Sequence, residues 1–143
     1  MSSVYLDENE YSRWIRSAEL TLESAKKDLE FGDYSWACFK AHQAVEKALK
    51  AFLWGIGKPR VGHSLTYLLR YLSDTLNEKP SDDVVYACSV LDKYYIPTRY
   101  PDVWVEGIPE EYFTQREAEE AIKLALRVIE WVKELWQRLS RRD

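Results

Sequence analysis

Residues 114–139 read TQREAEEAIKLALRVIEWVKELWQRL and decide the fold class. Thr114 and Glu117 have the spacing of a capping box, in which two side chains satisfy backbone N–H groups at the first turn of a helix. The apolar and small residues that follow recur at three- and four-residue steps: Ala118, Ala121, Ile122, Ala125, Val128, Ile129, Val132, Trp136 and Leu139. This spacing predicts a long amphipathic helix whose apolar stripe faces a core.

Four more helices are predicted upstream by the same criterion. Apolar stripes indicate helices over Tyr11–Leu29, Tyr34–Trp54 and Leu65–Leu72, and a further one from Ser81 to Pro97. The predicted N-caps are Asp7 or Asn9, Asp33, Ser64 and Ser81. Because the connections are short and no segment alternates with period two, we predict an all-α, up-and-down antiparallel bundle of about five helices, four main ones and one short one. We expect a single domain over residues 1–143.

The charge balance limits the kinds of partner. Twenty basic and 24 acidic residues give a formal net charge of −4, so the chain has no overall positive field to attract a nucleic-acid backbone. Any contact with nucleic acid must therefore be local. No apolar run approaches the length of a membrane span and the first residues lack a signal-peptide pattern, so we expect a cytoplasmic protein without membrane contact. Few Asn and Gln among many charged residues hint at a thermophilic source.

Several common kinds of site are excluded by residue spacing. Cys38 and Cys88 lie within apolar helical patterns and form no CxxC pair, so we expect buried free thiols. Neither His42 nor His63 has the Glu-x-x-His spacing of a di-iron bundle, and the chain contains no phosphate-binding glycine loop. We therefore expect neither a metal ion nor a cofactor.

Residues 91–102 read LDKYYIPTRYPD and concentrate polar and aromatic side chains. Pro97 and Pro101 disfavour helix at the residues before them, so Arg99 and Asp102 should lie on a stiff, extended segment just past a helix end. Three nearby tyrosines could stack on a base or pack against the bundle: Tyr94, Tyr95 and Tyr100. Both interpretations stay open at this point.

The polar candidates also have structural interpretations. Asp92 and Arg99 would form an ion pair or capping bonds that pin the loop to the bundle. Gln43, Glu46 and Lys47 are typical of a solvated helix face, on which Glu46 and Lys50 are spaced i,i+4. His63 opens a short helix, where a structural role is more common than a catalytic one.

Three stretches, in order along the chain, resemble the HEPN domain family: AHQAVEKALKA at residues 41–51, GHSL at 62–65 and LDKYYIPTRYPD at 91–102. The similarity extends from about Tyr11 to Trp136. It implies a bundle of about five helices, usually a homodimer, encoded in bacteria and archaea beside a minimal nucleotidyltransferase in toxin–antitoxin or defence modules. Many proteins of this family are metal-independent ribonucleases with an arginine followed by four to six residues and a histidine, and others bind nucleotides.

The chain departs from that ribonuclease motif. Arg99 stands where the resemblance places the arginine, but no histidine follows it, because His63 is the last histidine in the chain. Arg60 and His63 are too close in sequence to replace the pair. A missing general acid–base group costs about 10²–10⁴-fold in rate. Whether the protein is an enzyme is therefore left open, with a non-cleaving or weakly active protein expected.

The leading hypothesis is a dimeric nucleotide- or RNA-binding module that acts with a minimal nucleotidyltransferase. The candidate binding residues are Arg99, Asp102, Tyr95, Asp92, His63 and Lys47. Arg99 and His63 are also candidates for catalysis. Arg99 would hold a phosphate, the two aspartates would orient it, and a tyrosine would stack on a base.

Two alternatives belong to other functional classes. The first is a ribonuclease that uses His63 or a tyrosine in place of the missing histidine. The second is a pure interaction subunit whose partner surface is formed by Trp36, Trp54 and Trp104.

Overall fold

The computed structural model describes residues 5–141, which form helices packed around one central helix. The helices are α1 (Glu8–Glu30), α2 (Tyr34–Gly55), α3 (Leu65–Leu76), α4 (Asp82–Leu91), α5 (Pro109–Tyr112) and α6 (Gln115–Ser140). Two 3₁₀ turns, Asp92–Tyr94 and Pro101–Val103, lie between α4 and α5. Within residues 5–141 there is no β-strand. The predicted all-α bundle is confirmed, and the sixth helix is α5, a single turn inside a segment without apolar periodicity.

Helix α2 lies at the centre of the bundle, and its side chains are small where the neighbouring helices approach it. Ala37, Ala41, Ala44 and Ala48 are fully buried. Small residues let helix backbones come close together. The helices α1, α3 and α6 pack directly on α2, and α4 packs on α3 and α6.

The C-terminal end of α2 is packed tightly against α6. A Cβ atom added to Gly55 would lie 2.4 Å from Cζ3 of Trp136. The Trp136 ring is held from two sides, by Tyr11 stacked parallel at 4.1 Å and by Phe52 edge-on at 5.5 Å between ring centroids. The indole therefore has no room to withdraw from a larger residue at position 55.

Three predicted helix starts have the expected capping bonds. The Asp7 carboxylate and the Ser64 hydroxyl accept hydrogen bonds of 3.0 and 3.2 Å from backbone N–H groups in the first turns of α1 and α3. Thr114 and Glu117 form both bonds of the capping box at the start of α6. These caps use partners only three residues apart, which is why sequence spacing reveals them.

Two other helix features differ from the prediction. Asp33 and Ser81 occupy the N-cap positions of α2 and α4 but form no side-chain capping bond. The helix predicted to run to Pro97 ends at Leu91 and continues as the 3₁₀ turn Asp92–Tyr94. Because proline lacks an N–H and restricts the residue before it, the chain tightens before reaching it.

Candidate functional site

Arg99 lies in a tight turn rather than on an extended segment. Its backbone N–H donates to the carbonyl of Ile96 at 3.1 Å, and the hydroxyl of the buried Thr98 donates to the carbonyl of Tyr94 at 2.8 Å. The predicted extended conformation is therefore wrong, because these two bonds fold the chain back on itself between the prolines.

The guanidinium group of Arg99 is surrounded by aromatic rings. Its Cζ atom lies 4.1 Å from the ring centroid of Phe39, 4.7 Å from that of Tyr95 and 4.9 Å from that of Tyr100. Its Nε donates a 2.9 Å hydrogen bond to the backbone carbonyl of Tyr95. We call this guanidinium and its three rings the Arg99 centre. Cation–π contacts orient a guanidinium without neutralising its charge.

The two aspartates expected to orient Arg99 lie elsewhere. The Asp92 carboxylate accepts hydrogen bonds from the backbone N–H groups of Leu65 at 2.7 Å and Thr66 at 3.0 Å, in the first turn of α3. Those N–H groups have no partner within the helix, and a negative charge is favoured at this end of the helix dipole. Asp102 is exposed. Among residues 5–141 no carboxylate forms an ion pair with Arg99, so the suggested ion pair with Asp92 does not form.

His63 lies beside the Arg99 centre and contacts one of its three rings. Its imidazole stacks on Tyr95 at 4.4 Å between centroids, with 19° between the planes. Its Nδ1 lies 3.0 Å from Oε1 of Glu46, and its backbone carbonyl lies 2.9 Å from Nε2 of His42. The His63 side chain is 53% exposed, so the imidazole is held against one ring of the Arg99 centre and is accessible to solvent.

The residues that hold His63 belong to a largely buried group on α2, which we call the α2 polar cluster: His42, Gln43, Glu46 and Lys50. Lys50 Nζ donates to Glu46 at 3.0 Å, and Gln43 Nε2 lies 3.4 Å from the same carboxylate and 3.2 Å from Nδ1 of His42. The interpretation of Glu46 and Lys50 as a solvated face is wrong, because both side chains are buried and His63, from the loop after α2, contacts Glu46. Burial lowers the pKa of the fully buried His42 below its ordinary value, which keeps this imidazole neutral.

Lys47 does not join the Arg99 centre. Its Nζ donates two 3.0 Å hydrogen bonds to the hydroxyls of Ser17 and Thr21 on α1. Successive residues of a helix point about 100° apart, so the neighbouring Glu46 faces the site while Lys47 faces α1. Of the six predicted residues, the structure thus brings Arg99, Tyr95 and His63 together, whereas Asp92, Asp102 and Lys47 have other partners or face solvent.

The three tryptophans suggested as an interaction surface do not form one patch. Trp36 and Trp54 are near opposite ends of α2, about 27 Å apart along the helix axis at 1.5 Å per residue. Trp104 stacks on Tyr112 at 4.1 Å and donates from its ring nitrogen to the carbonyl of Pro97 at 2.8 Å. Trp104 is therefore largely engaged in holding the loop.

Three residues of the region were not predicted as site residues: Phe39, His42 and Glu46. Phe39 lies three residues before His42 and Glu46 four after it, so all three share one face of α2. A signal was present in the sequence, since an aromatic, a histidine and a glutamate interrupt an alanine-rich buried helix at helical spacing. Such residues in a buried stripe need partners, and here the partners come from the loops after α2 and α4.

Metal binding and thiol chemistry have little support in the described part of the chain. No group of three or more His, Cys, Asp or Glu side chains in residues 5–141 could hold a metal ion. Burial raises the pKa of both thiols, Cys38 and Cys88, to about 12, so neither is a ready nucleophile. None of the described helices is both long and apolar enough to cross a membrane.

Comparison with known proteins identifies the class. The family model described as HEPN domain matches residues 11–135. The chain therefore belongs to the HEPN domain family, and the resemblance carried by the three sequence motifs is confirmed.

Individual relatives cover nearly the whole chain. A protein of Methanocaldococcus jannaschii named "Putative toxin MJ1304" is 30% identical over 129 residues, which span 85% of this chain and 84% of that protein. The crystal structure of TT1696 from Thermus thermophilus is 43% identical with a TM-score of 0.83, covering 88% of this chain and 98% of that one.

Two further solved structures are similar. ST0689, described as an archaeal HEPN homologue, is 41% identical with a TM-score of 0.73, covering 87% of this chain and 96% of that one. A HEPN domain protein from Thermotoga maritima, tm0613, is 32% identical with a TM-score of 0.72, covering 88% of this chain and 98% of that one. The bundle described above is thus shared by HEPN proteins of separate sources.

Proposed function

We propose that this HEPN protein is a toxin-like, dimeric module that binds a nucleotide or an RNA phosphate at the Arg99 centre and acts with a minimal nucleotidyltransferase. Family membership and the similarity to a relative named as a putative toxin support the toxin-like part. The observation that carries the binding part is the state of Arg99, a guanidinium held in place by rings and a carbonyl but paired with no carboxylate among residues 5–141.

A guanidinium group that is fixed in orientation and not paired with a carboxylate is well placed to bind a phosphate. Its planar N–H groups match phosphate oxygens in bidentate geometry, and the orientation is already fixed by the Tyr95 carbonyl. The ring of Tyr100, 46% exposed, lies beside it and offers a face on which a base can stack. Phosphate recognition and base stacking therefore come from adjacent residues.

The binding test is a mobility-shift titration with labelled single-stranded RNA and, separately, with a nucleoside triphosphate by calorimetry. Loss of a hydrogen bond to a charged group costs about 1.5–3 kcal/mol, so Arg99→Ala should weaken binding by roughly 10- to 150-fold. Arg99→Lys should recover only part of the affinity, because an ammonium cannot bind in the bidentate manner. Arg127→Ala, which removes a half-buried arginine of α6 paired with Asp83 in the first turn of α4, is the charge-matched control.

The salt dependence separates a phosphate contact from a general charge effect. For single strands, each phosphate contact contributes about 0.7 to the slope of log affinity against log salt. Arg99→Ala should lower this slope by about that amount, and Arg127→Ala should leave it unchanged. Equal affinity and equal slope for wild type and a folded Arg99→Ala variant would rule out the Arg99 centre as the binding site.

A second candidate function is metal-independent RNA cleavage with His63 in place of the missing histidine. It is favoured by one observation: His63 and the Arg99 guanidinium lie 4.4 and 4.7 Å from the same Tyr95 ring centroid. The same gels, run with a chelator and no added metal, score cleavage as well as mobility. Cleavage by wild type that disappears in His63→Ala would support this function, and a shift without cleavage would support the binding module.

The dimer and the partner need separate measurements. Light scattering on the purified protein tests whether the chain is a dimer. Co-expression with a nucleotidyltransferase-type product of a neighbouring gene, followed by co-purification, tests the partner. A protein that co-purifies with such a product but binds neither RNA nor nucleotide would be the pure interaction subunit instead.

A further inference from the structure

The hydrogen bonds of the α2 polar cluster form a closed chain whose directions can be assigned. A carboxylate only accepts, so the Gln43 amide must present its NH₂ group to Glu46, since the reversed amide would place its oxygen against the carboxylate. That same NH₂ group lies 3.2 Å from Nδ1 of His42. His42 Nδ1 is therefore an acceptor, and the His42 proton is on Nε2, where it is donated to the carbonyl of His63.

The same reasoning assigns the position of the proton on the His63 imidazole. Its Nδ1 faces Oε1 of Glu46 at 3.0 Å, and the carboxylate cannot donate. The His63 proton is therefore on Nδ1, which leaves Nε2 with a free lone pair on a side chain that is half exposed. Lys50, bonded to the other oxygen of Glu46 at 3.0 Å, stops the carboxylate from turning away.

We infer that Glu46 is a positioning residue: it holds His63 in the Nδ1–H tautomer, so that Nε2 of His63 is the proton-accepting atom beside the Arg99 centre. This inference rests on RNA cleavage, the second candidate function proposed above, and names the residue that positions its acid–base group. The substrate class is an RNA phosphodiester with a free 2′-hydroxyl.

The corresponding step balances without a metal ion. The 2′-hydroxyl gives its proton to Nε2 of His63, and the 2′-oxygen forms a bond to phosphorus while the bond from phosphorus to the 5′-oxygen breaks. The products are a 2′,3′-cyclic phosphate and a 5′-hydroxyl whose proton comes from water, and His63 then returns its proton to solvent. Arg99 would hold the non-bridging phosphate oxygens during this exchange.

The decisive experiment reads the tautomers directly by ¹⁵N NMR of the imidazole rings at about pH 8.5, above the ordinary pKa of histidine. The chain has two histidines, and a His63→Asn spectrum assigns them. Wild type should show a protonated Nδ1 for His63 and a protonated Nε2 for His42. In Glu46→Ala the His63 signal should move toward the Nε2–H form, whereas His42 should not change, because the His63 backbone carbonyl still accepts the Nε2 proton of His42.

Glu46→Gln is the conservative variant and retains an accepting oxygen, so it should preserve part of the Nδ1–H population. It also keeps the test valid if the alanine variant does not fold. Glu23→Gln, which changes an exposed glutamate paired with Lys26, is the matched control and should leave both rings unchanged. A wild-type His63 protonated on Nε2, or a Glu46→Ala variant with an unchanged His63 tautomer, would overturn the inference.

Cleavage assays then separate failure of the inference from failure of the function. If wild type cleaves RNA, His63→Ala should lose about 10²–10⁴-fold in rate, and Glu46→Ala should lower the rate and alter its pH profile. Cleavage that is unaffected by Glu46→Ala contradicts the inference while the ribonuclease function stands. If wild type cleaves no RNA, the proton-transfer role is refuted, and the tautomer measurement reports on positioning alone.

Discussion

Replacing Asp92 by alanine should destabilise the protein by about 2–3 kcal/mol, because its carboxylate completes the first turn of α3 from another part of the chain. It accepts from the backbone N–H groups of Leu65 and Thr66, while Ser64 caps the third donor of the same turn. All three orphan N–H groups that follow the cap are therefore satisfied by side chains.

The magnitude follows from what each N–H group would lose. Leu65 is fully buried, so its N–H cannot be hydrated when the carboxylate is removed, and an unsatisfied buried donor costs about 1–3 kcal/mol. Thr66 is only half-buried, so water can replace most of its bond, leaving roughly 0.5–1 kcal/mol for that bond and the lost charge at the helix end. Asp92→Asn keeps one acceptor oxygen and should cost about half as much.

The assay is urea unfolding followed by circular dichroism in the far ultraviolet, with hydrogen exchange of the α3 amides as a local probe. Ser64→Ala is the matched control, since it removes one neutral capping bond of the same helix and should cost about 1 kcal/mol. RNA affinity of the folded Asp92→Ala variant should stay close to that of wild type, because Asp92 does not touch Arg99. A loss of stability below that of Ser64→Ala, or unchanged exchange in α3, would refute the reasoning.

Three other outcomes follow from the packing and burial described above. Gly55→Ala should destabilise by about 1–3 kcal/mol in urea unfolding, because the new Cβ meets a Trp136 ring that cannot move, and an unchanged midpoint would contradict this. His42 has a lowered pKa in the folded state, so the unfolded chain takes up the proton first, and stability present above about pH 6.5 should fall below it by at most about 1.4 kcal/mol per pH unit for this group. Unfolding midpoints from about pH 5 to 8, with a His42→Gln variant flattening the curve, measure this contribution. Cys38 and Cys88 should react with a thiol reagent only on unfolding, and rapid labelling of the native protein would show that the buried core opens.

Features that depend on neighbours in sequence could be predicted, and features that depend on distant partners could not. The capping box of Thr114 and Glu117 is contained in four residues, so its spacing is sufficient evidence. Asp92, in contrast, caps a helix that starts 27 residues earlier, and no spacing rule links the two. The sequence suggested either an ion pair with Arg99 or capping bonds for Asp92, and the structure shows capping bonds, to a helix that the sequence could not identify.

The turn that carries Arg99 shows the same limit. Two prolines correctly predict that the helix cannot continue. They do not predict whether the chain then extends or folds back, since that depends on Thr98 finding the Tyr94 carbonyl and on Phe39 offering a ring to the guanidinium. The clustering of polar and aromatic side chains around Arg99 was therefore predictable from residues 91–102, while its geometry was not.

The supports of the site come mainly from one face of the most buried helix, and this decides how its variants can be interpreted. His42 and Glu46 are buried and serve the bundle as well as the candidate site, so substituting either changes stability and function together. Arg99 is different, because it is half-buried, bonds only to its own loop and the rings, and leaves no buried charge unpaired when removed. A loss of binding in Arg99→Ala with unchanged stability is therefore the one result in this region that folding effects cannot explain.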